Sequence, residues 1–361
     1  MKVVVFAGGV GTRLWPLSRK NTPKQFEKII GDKSTLQQTI DRLSSVVGTS
    51  DIYISTGKHY EETVRGQLPQ IPQENFIFEP QMRDVGPAIG LAAFLLEKRY
   101  PNEPMAILWS DHYVKNLESF KKALAMAQDI ISAKRGNFVF LGQKPRFANQ
   151  NIGWIELGEK IDEKEQLSLY GFRHLKYRPK PSDAVSFFQN SGTYIWNLGY
   201  FVTTPRFLIH QFGMYVPEMY ASLRKIQSGW GTESFEKILG EIYPTLEKIS
   251  FDDAILEKLT SEGVFVVAAD LQWSDVGAWE ALKEALSQTD DENVTRGKVM
   301  LEDSRDSLAF NYTNQLCVGI DLSQMLIVST EDVILVCPKT SVPKIKKLVE
   351  KLSGTPNEHL T

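Results

Sequence analysis

The chain has 361 residues, 42% of them hydrophobic and 24% charged, a composition that can bury a large core and excludes disorder as the main state. Its 41 Lys and Arg nearly balance 44 Asp and Glu, and the formal charge of −3 provides no whole-chain basic field for nucleic acid. Only two cysteines occur, Cys317 and Cys337, with no CxxC pair, so a disulfide framework is excluded and a reducing cytoplasm is expected.

The apolar stretch that opens at Val3 meets a glycine loop too early for a signal peptide. The longest weakly polar run, near residues 88–96, is far short of the ~20 residues that span a bilayer, so no membrane partner is expected. Strands are predicted over residues 3–6, 51–55, 75–79, 105–109 and 138–141, and helices over 35–46, 59–67, 88–99 and 117–133. This alternation predicts an α/β fold with a mostly parallel sheet covered on both faces, and such sheets bind ligands beyond the C-terminal ends of their strands.

Residues 142–211 are less regular and rich in aromatics, among them Trp154, Tyr177, Trp196 and Tyr200. They read as an insertion of antiparallel strands walling a pocket, or equally as a plain aromatic core. Residues 212–259 look helical, 263–269 form a strand and 278–287 a helix. A polar linker at 288–293 leads to short apolar pieces at 299–301, 307–310, 316–320, 325–328 and 333–336. They predict a small C-terminal β-rich unit, β-helix-like, ending in a helix over 341–352 capped by Ser341. The expected domains are 1–287 and 288–361.

The first strand runs into Ala7-Gly8-Gly9-Val10-Gly11-Thr12-Arg13. Glycines let backbone N–H groups approach an anion without Cβ clashes. The dinucleotide pattern GxGxxG fails here, since Thr12-Arg13-Leu14 follows Gly11, and the Walker pattern fails for lack of Lys-Ser or Lys-Thr. What remains is a glycine loop followed by Arg13, Arg19 and Lys24. It reads as a polyphosphate site or as an ordinary strand–turn with solvated charges.

The run from Phe6 to Arg19, with Leu14-Trp15-Pro16-Leu17-Ser18-Arg19 and then Pro23-Lys24-Gln25-Phe26, resembles the signature of sugar-1-phosphate nucleotidyltransferases. It is most similar to the mannose-1-phosphate guanylyltransferase branch. Further matching pieces are Glu79-Pro80 with Arg83, Ser110-Asp111-His112, Trp196-Asn197, and Trp273-Ser274-Asp275-Val276-Gly277. The resemblance covers about residues 1–287. It implies a Rossmann-like nucleotide-diphospho-sugar transferase fold without the isomerase domain of bifunctional members. The implied reaction joins GTP and a hexose 1-phosphate, mannose 1-phosphate first, giving GDP-mannose and pyrophosphate.

Asp111 and Asp275 each stand where the chain leaves a predicted strand. Mg²⁺ takes one or two carboxylates and fills its other positions with water and phosphate oxygens, although either residue could instead cap a helix. The resemblance makes both the metal ligands. It further implies Arg13 on the β- and γ-phosphates, Lys24 near the α-phosphate, and Gly8, Gly9, Gly11 and Thr12 along the triphosphate. Glu79, Arg83 and Asp84 would meet the base.

Two departures bear on specificity. The family's Arg-Asn-Thr-Ala-Pro reads Arg83-Asp84-Val85-Gly86-Pro87, and its Glu-Lys-Pro reads Tyr177-Arg178-Pro179. Arg178 can take a sugar phosphate in bidentate fashion, whereas Tyr177 cannot accept from two hydroxyls as a carboxylate does. Gly153 and Asn197 remain for the sugar. Ser250 and Asp253 read as a helix capping box, and Asp252 stays open. Alternatives are a relative acting on another hexose 1-phosphate or another nucleoside triphosphate, and a non-catalytic nucleotide-sugar-binding regulator. Self-association as a homodimer through the C-terminal unit is a further expectation.

Overall fold

The computed structural model describes every residue except Val10, so the middle of the glycine loop lies outside the described residues. The chain divides into two compact units, and their boundaries correct the expected division at 287/288. One unit comprises residues 1–7, 40–109 and 115–271, and the other residues 8–39, 110–114 and 272–361. The helix Thr35–Ser44 carries the chain from the second into the first.

A nine-stranded sheet dominates the first unit, in the order Phe76–Glu79, Ile52–Gly57, Lys2–Phe6, Met105–Trp109, Tyr194–Thr203, Phe138–Gln143, Val264–Ala268, Leu167–Lys176, Gly153–Lys164. Val3, Val4 and Val5 are fully buried, which suits β-branched residues in a strand covered on both faces. The strands from Phe76 to Trp109 pair in parallel, as expected. The sheet as a whole is mixed, not mostly parallel. Tyr194–Thr203 inserts antiparallel between Met105–Trp109 and Phe138–Gln143, and the long hairpin Gly153–Lys164/Leu167–Lys176 is antiparallel too. A strand buried on both faces shows the same residue pattern in either direction, so alternation alone could not reveal the reversal.

With the helices Pro181–Gln189 and Pro205–Tyr215 between and after them, the antiparallel strands expected within residues 142–211 are present and belong to the main sheet. Against it packs Val85–Glu97, a helix apolar all round and buried from Gly86 to Leu96. Phe138 stacks on Phe201 with centroids 4.7 Å apart, and Phe201 on Phe251 at 5.4 Å.

In the second unit, Val294–Arg296, Leu308–Asn311 and Met325–Ser329 pair in parallel, and Ile334–Pro338 adds an antiparallel edge. Val299–Glu302 pairs in parallel with Cys317–Ile320. Leu14, Trp15 and Ile29 from the early chain share a core with Val276, Trp279, Leu308, Phe310, Leu326 and Val328. The Trp279 indole donates to the Trp15 carbonyl at 3.0 Å, and the Arg296 guanidinium to the carbonyls of Ile29 and Gly31 at 2.6 and 2.9 Å. These contacts explain why the glycine loop groups with the β-rich tail. The last helix is Ile345–Leu352, preceded by a 3₁₀ segment and without a side-chain cap, so Ser341 does not cap it.

Candidate active site

Within the second unit the structure gathers the glycine loop, Lys24 and both strand-end aspartates. A two-residue antiparallel ribbon pairs Tyr113 with Ser274 and Val114 with Trp273. It ties the segment carrying Asp111 to the one carrying Asp275. His112 Nδ1 accepts from the Trp273 indole at 3.1 Å with the rings edge-on, and its Nε2 lies 4.0 Å from Asp111 Oδ1.

Lys24 lies across this junction. Its ammonium is 2.7 Å from Asp111 Oδ2 and 3.4 Å from the carbonyl oxygens of both Asp275 and Val276. Its backbone N–H donates to Ser18 Oγ at 3.0 Å, which places the stem. Gly11 makes room for that stem: with φ of 65°, it has a position where a Cβ would come within 2.9 Å of Lys24 Cγ. Burial alone would raise the Asp111 carboxyl, but Lys24 and, more weakly, His112 pull it below the ordinary carboxylate range.

Asp275 Oδ1 accepts from the Gly277 N–H at 3.3 Å. A Cβ on Gly277 would lie 2.9 Å from Asp275 Oδ2 and 3.0 Å from Arg13 Nη2, so only glycine lets these two side chains converge here. Val276 between them holds φ of 40°, an uncommon conformation for a β-branched residue, and such strain gathers at functional sites. Arg13 is otherwise exposed, and Thr12 opens the 3₁₀ turn Thr12–Leu14. Gly8 is exposed and Gly9 has φ of 100°, and nothing would touch a Cβ at either. Arg19 departs from expectation: it forms a bidentate pair with Asp332 at 2.7 and 2.6 Å and is committed there.

One carboxylate oxygen of Asp111 and the main-chain carbonyl oxygens of Asp275 and Val276 thus surround a cation, the Lys24 ammonium. That donor set suits a small hard divalent ion that keeps part of its water. No cluster of three or more His, Cys, Asp or Glu that could hold a metal ion exists among the described residues.

In the first unit, Glu79 is buried and accepts from the Tyr243 hydroxyl at 2.6 Å. Burial pushes its carboxyl up to about 7, against the opposing pull of that hydrogen bond. Arg83 Nε is buried with no hydrogen-bond partner among the described residues. Asp84, by contrast, is exposed with φ of 70°, and its carboxylate accepts from Val85 N–H at 2.7 Å. It starts a helix there, which is a sufficient structural reason for an acid at that position.

Gly153 pairs with Asn197 across neighbouring strands, and Arg178, with φ of 45°, is tied by its N–H to the Ile152 carbonyl. The sequence does not point to Tyr243, whereas it leaves Asp252 open. Asn197 Nδ2 lies 3.4 Å from Asp252 Oδ1. The capping box expected at Ser250 is present, with Asp253 N–H donating to Ser250 Oγ at 3.0 Å.

The chain belongs to the nucleotidyl transferase family, whose pattern it matches over residues 2–292. It is 32% identical to mannose-1-phosphate guanylyltransferase 2 of Escherichia coli O157:H7, over 97% of this chain and 73% of that one. It is also similar to a solved structure from Thermus thermophilus described as a mannose-1-phosphate geranyltransferase, with 29% identity, a TM-score of 0.84 and coverage of 98% and 99%. A UDP-glucose pyrophosphorylase solved with UDP-glucose shares the fold alone, at 17% identity, a TM-score of 0.51 and coverage of 79% and 97%. The family expected from the run between Phe6 and Arg19 is therefore the right one, and the fold is its mixed α/β architecture.

Proposed function

We propose that this chain transfers a guanylyl group from GTP to mannose 1-phosphate, releasing pyrophosphate. The observation that carries the reading is the convergence of Lys24, Arg13, Asp111 and Asp275, in a chain similar over 97% of its length to a mannose-1-phosphate guanylyltransferase. A non-bridging oxygen of the sugar phosphate attacks the α-phosphorus. The bond from that phosphorus to the β-bridging oxygen breaks, and the electron pair leaves with pyrophosphate.

Both reactants are anions, so positioning and charge compensation dominate the barrier. Arg13 presents an exposed guanidinium for the β- and γ-phosphates as the leaving group gains charge. Lys24 supplies a point charge beside the α-phosphate, leaving Asp111 as substrate arrives. Gly8, Gly9, Gly11 and Thr12 line the triphosphate. Asp111 and Asp275 would hold Mg²⁺, which when bound lowers the repulsion between the phosphates. Glu79 and Arg83 serve the base, and Arg178 the sugar phosphate, with Gly153 and Asn197 toward the sugar. Asp84 is the weakest member of the base group, being engaged with Val85.

Tyr177 favours a second reading, in which another hexose 1-phosphate is the acceptor. Pyrophosphate release measured across four nucleoside triphosphates and several hexose 1-phosphates, with and without Mg²⁺, decides between them. Signal confined to GTP with mannose 1-phosphate and Mg²⁺ supports the first reading, and signal with another sugar the second. Binding without release would leave a regulator.

Residues 288–361 we read as a short β-helix-like unit, supported by its parallel pairings. Met300, Val318 and Ile320 are exposed on adjoining strands at 55%, 52% and 62% and support homodimer formation through that face. Light scattering that gives a monomer at assay concentration refutes this. Both cysteines are free, which fits a cytoplasmic setting, and no helix of the described residues is long and apolar enough to cross a membrane.

A further inference from the structure

Asp252 sits in the short helix Phe251–Ala254, mostly withdrawn from water. A carboxylate taken out of water is expected to be ion-paired or well hydrogen-bonded. Asp252 is neither. Asn197 Nδ2, at 3.4 Å, is the one side-chain donor that reaches it among the described residues, and no ion pair joins it to Arg178. Its neighbour Asp253 is occupied with Ser250, and Glu257 takes the Tyr177 N–H at 2.7 Å and the Lys176 ammonium at 3.3 Å. Both carboxylates therefore have structural work that Asp252 lacks.

The surroundings are built for a small polar ligand. Asn197 is buried, and its Oδ1 accepts from Gly199 N–H at 3.0 Å, which turns its amide nitrogen toward Asp252. Gly153 stands beside that amide, where a Cβ would come within 3.1 Å of Asn197 Cβ. Arg178 is exposed, its guanidinium 4.9 Å over the Tyr177 ring and otherwise unpaired among the described residues. The group thus presents an underused half-buried acceptor, an oriented amide and an available guanidinium.

The geometry points to Asp252 as the group that accepts from ring hydroxyls of the hexose 1-phosphate and so sets sugar choice, with Asn197 beside it and Arg178 on the phosphate. This rests on the transferase reading above. The chemistry matches the ligand, since vicinal hydroxyls are paired donors and a carboxylate accepts both at once. Burial pushes the Asp252 carboxyl up to about 7, with Asp253 and Glu257 adding to this and its own backbone N–H and Arg178 opposing it. Donors from a bound hydroxyl pair would relieve that cost of burial.

The test compares wild type, Asp252→Asn and Asp253→Asn on mannose 1-phosphate and on its 2-, 3- and 4-deoxy analogues. Asp252→Asn is expected to raise the sugar-phosphate KM about tenfold or more while the GTP KM stays within twofold. At least one deoxy analogue should narrow the gap between wild type and Asp252→Asn, because one of the donors that Asp252 holds is missing. Asp253→Asn controls for loss of the capping box and should leave both KM values unchanged. An unchanged sugar KM in Asp252→Asn overturns the inference. So does a wild-type enzyme indifferent to every single deoxygenation, a result that needs no folded variant. If wild type makes no nucleotide sugar from any hexose 1-phosphate, the transferase reading fails separately. Quenching of tryptophan fluorescence by mannose 1-phosphate then decides: lost in Asp252→Asn it supports the assignment, retained it removes it.

Discussion

Replacing Lys24 by Met keeps most of the apolar stem and removes the ammonium that compensates Asp111 at 2.7 Å. Breaking a buried ion pair from one side costs about 3–5 kcal/mol, because the remaining charge stays desolvated. Asp111 keeps 23% of its side chain exposed, so water relieves part of this and about 2 kcal/mol is expected at pH 7. The pH dependence separates charge from packing. In wild type the Asp111 carboxyl is held below 3.8, so its contribution is present above about pH 4 and lost as pH falls through the folded value. Without Lys24, burial is opposed only by the weaker His112 and a backbone N–H, and the carboxyl moves upward. The variant's penalty therefore grows from about pH 4 toward neutrality, and the gap to wild type is widest near pH 7. Urea unfolding at pH 7 and pH 3.5, with hydrogen exchange followed over residues 11–29 and 272–286, reads it locally. A gap of equal size at both pH values would mean that the stem, not the charge, matters. Millimolar Mg²⁺ should narrow the gap at pH 7 by taking the vacated oxygens. A gap unmoved by Mg²⁺ argues against Asp111 as a metal ligand.

Asp111→Asn and Asp275→Asn should each lower turnover at least about 100-fold with unchanged circular dichroism, and near wild-type turnover in either removes its metal role. Glu79→Gln tests the buried carboxyl. A folded pKa of about 7 against an ordinary 4.5 favours the folded state at low pH, an advantage lost as pH rises through 7. The fall in stability between pH 5 and pH 8 should flatten in Glu79→Gln by up to about 3 kcal/mol, and an identical fall in both proteins refutes this. Arg19→Ala should leave kcat and the GTP KM within twofold, because Arg19 serves Asp332. That carboxylate is held down to about 2 chiefly by Arg19, but 46% of its side chain is exposed, so the stability loss should be at most ~1 kcal/mol. A tenfold rise in the GTP KM would return Arg19 to the phosphates.

Legibility tracked the range over which a residue's reason for being there extends. Gly11 and Gly277 are required by atoms on Lys24, Asp275 and Arg13, and all of these sit in short motifs that could be compared with a family pattern. Arg19 sits in the same motif, but its partner lies 313 positions away, so three nearby cations looked like one phosphate group. Leu14 and Trp15 likewise meet Leu308 and Phe310 only through folding, which is why a linker at 288–293 suggested a domain boundary that the packing does not respect. Asp252 is the sharpest case. Ser250 and Asp253 explain their segment locally, whereas Asp252 could only be left open, because its amide neighbour lies 55 positions away. Its isolation from other donors exists only in three dimensions, and so does the burial that raises both it and Glu79. A local pattern identifies charges meant to meet phosphate, since phosphate binding relies on repeated glycines and cations. Recognition of a neutral sugar uses single acceptors gathered from distant strands and helices, and those appear only once the chain is folded.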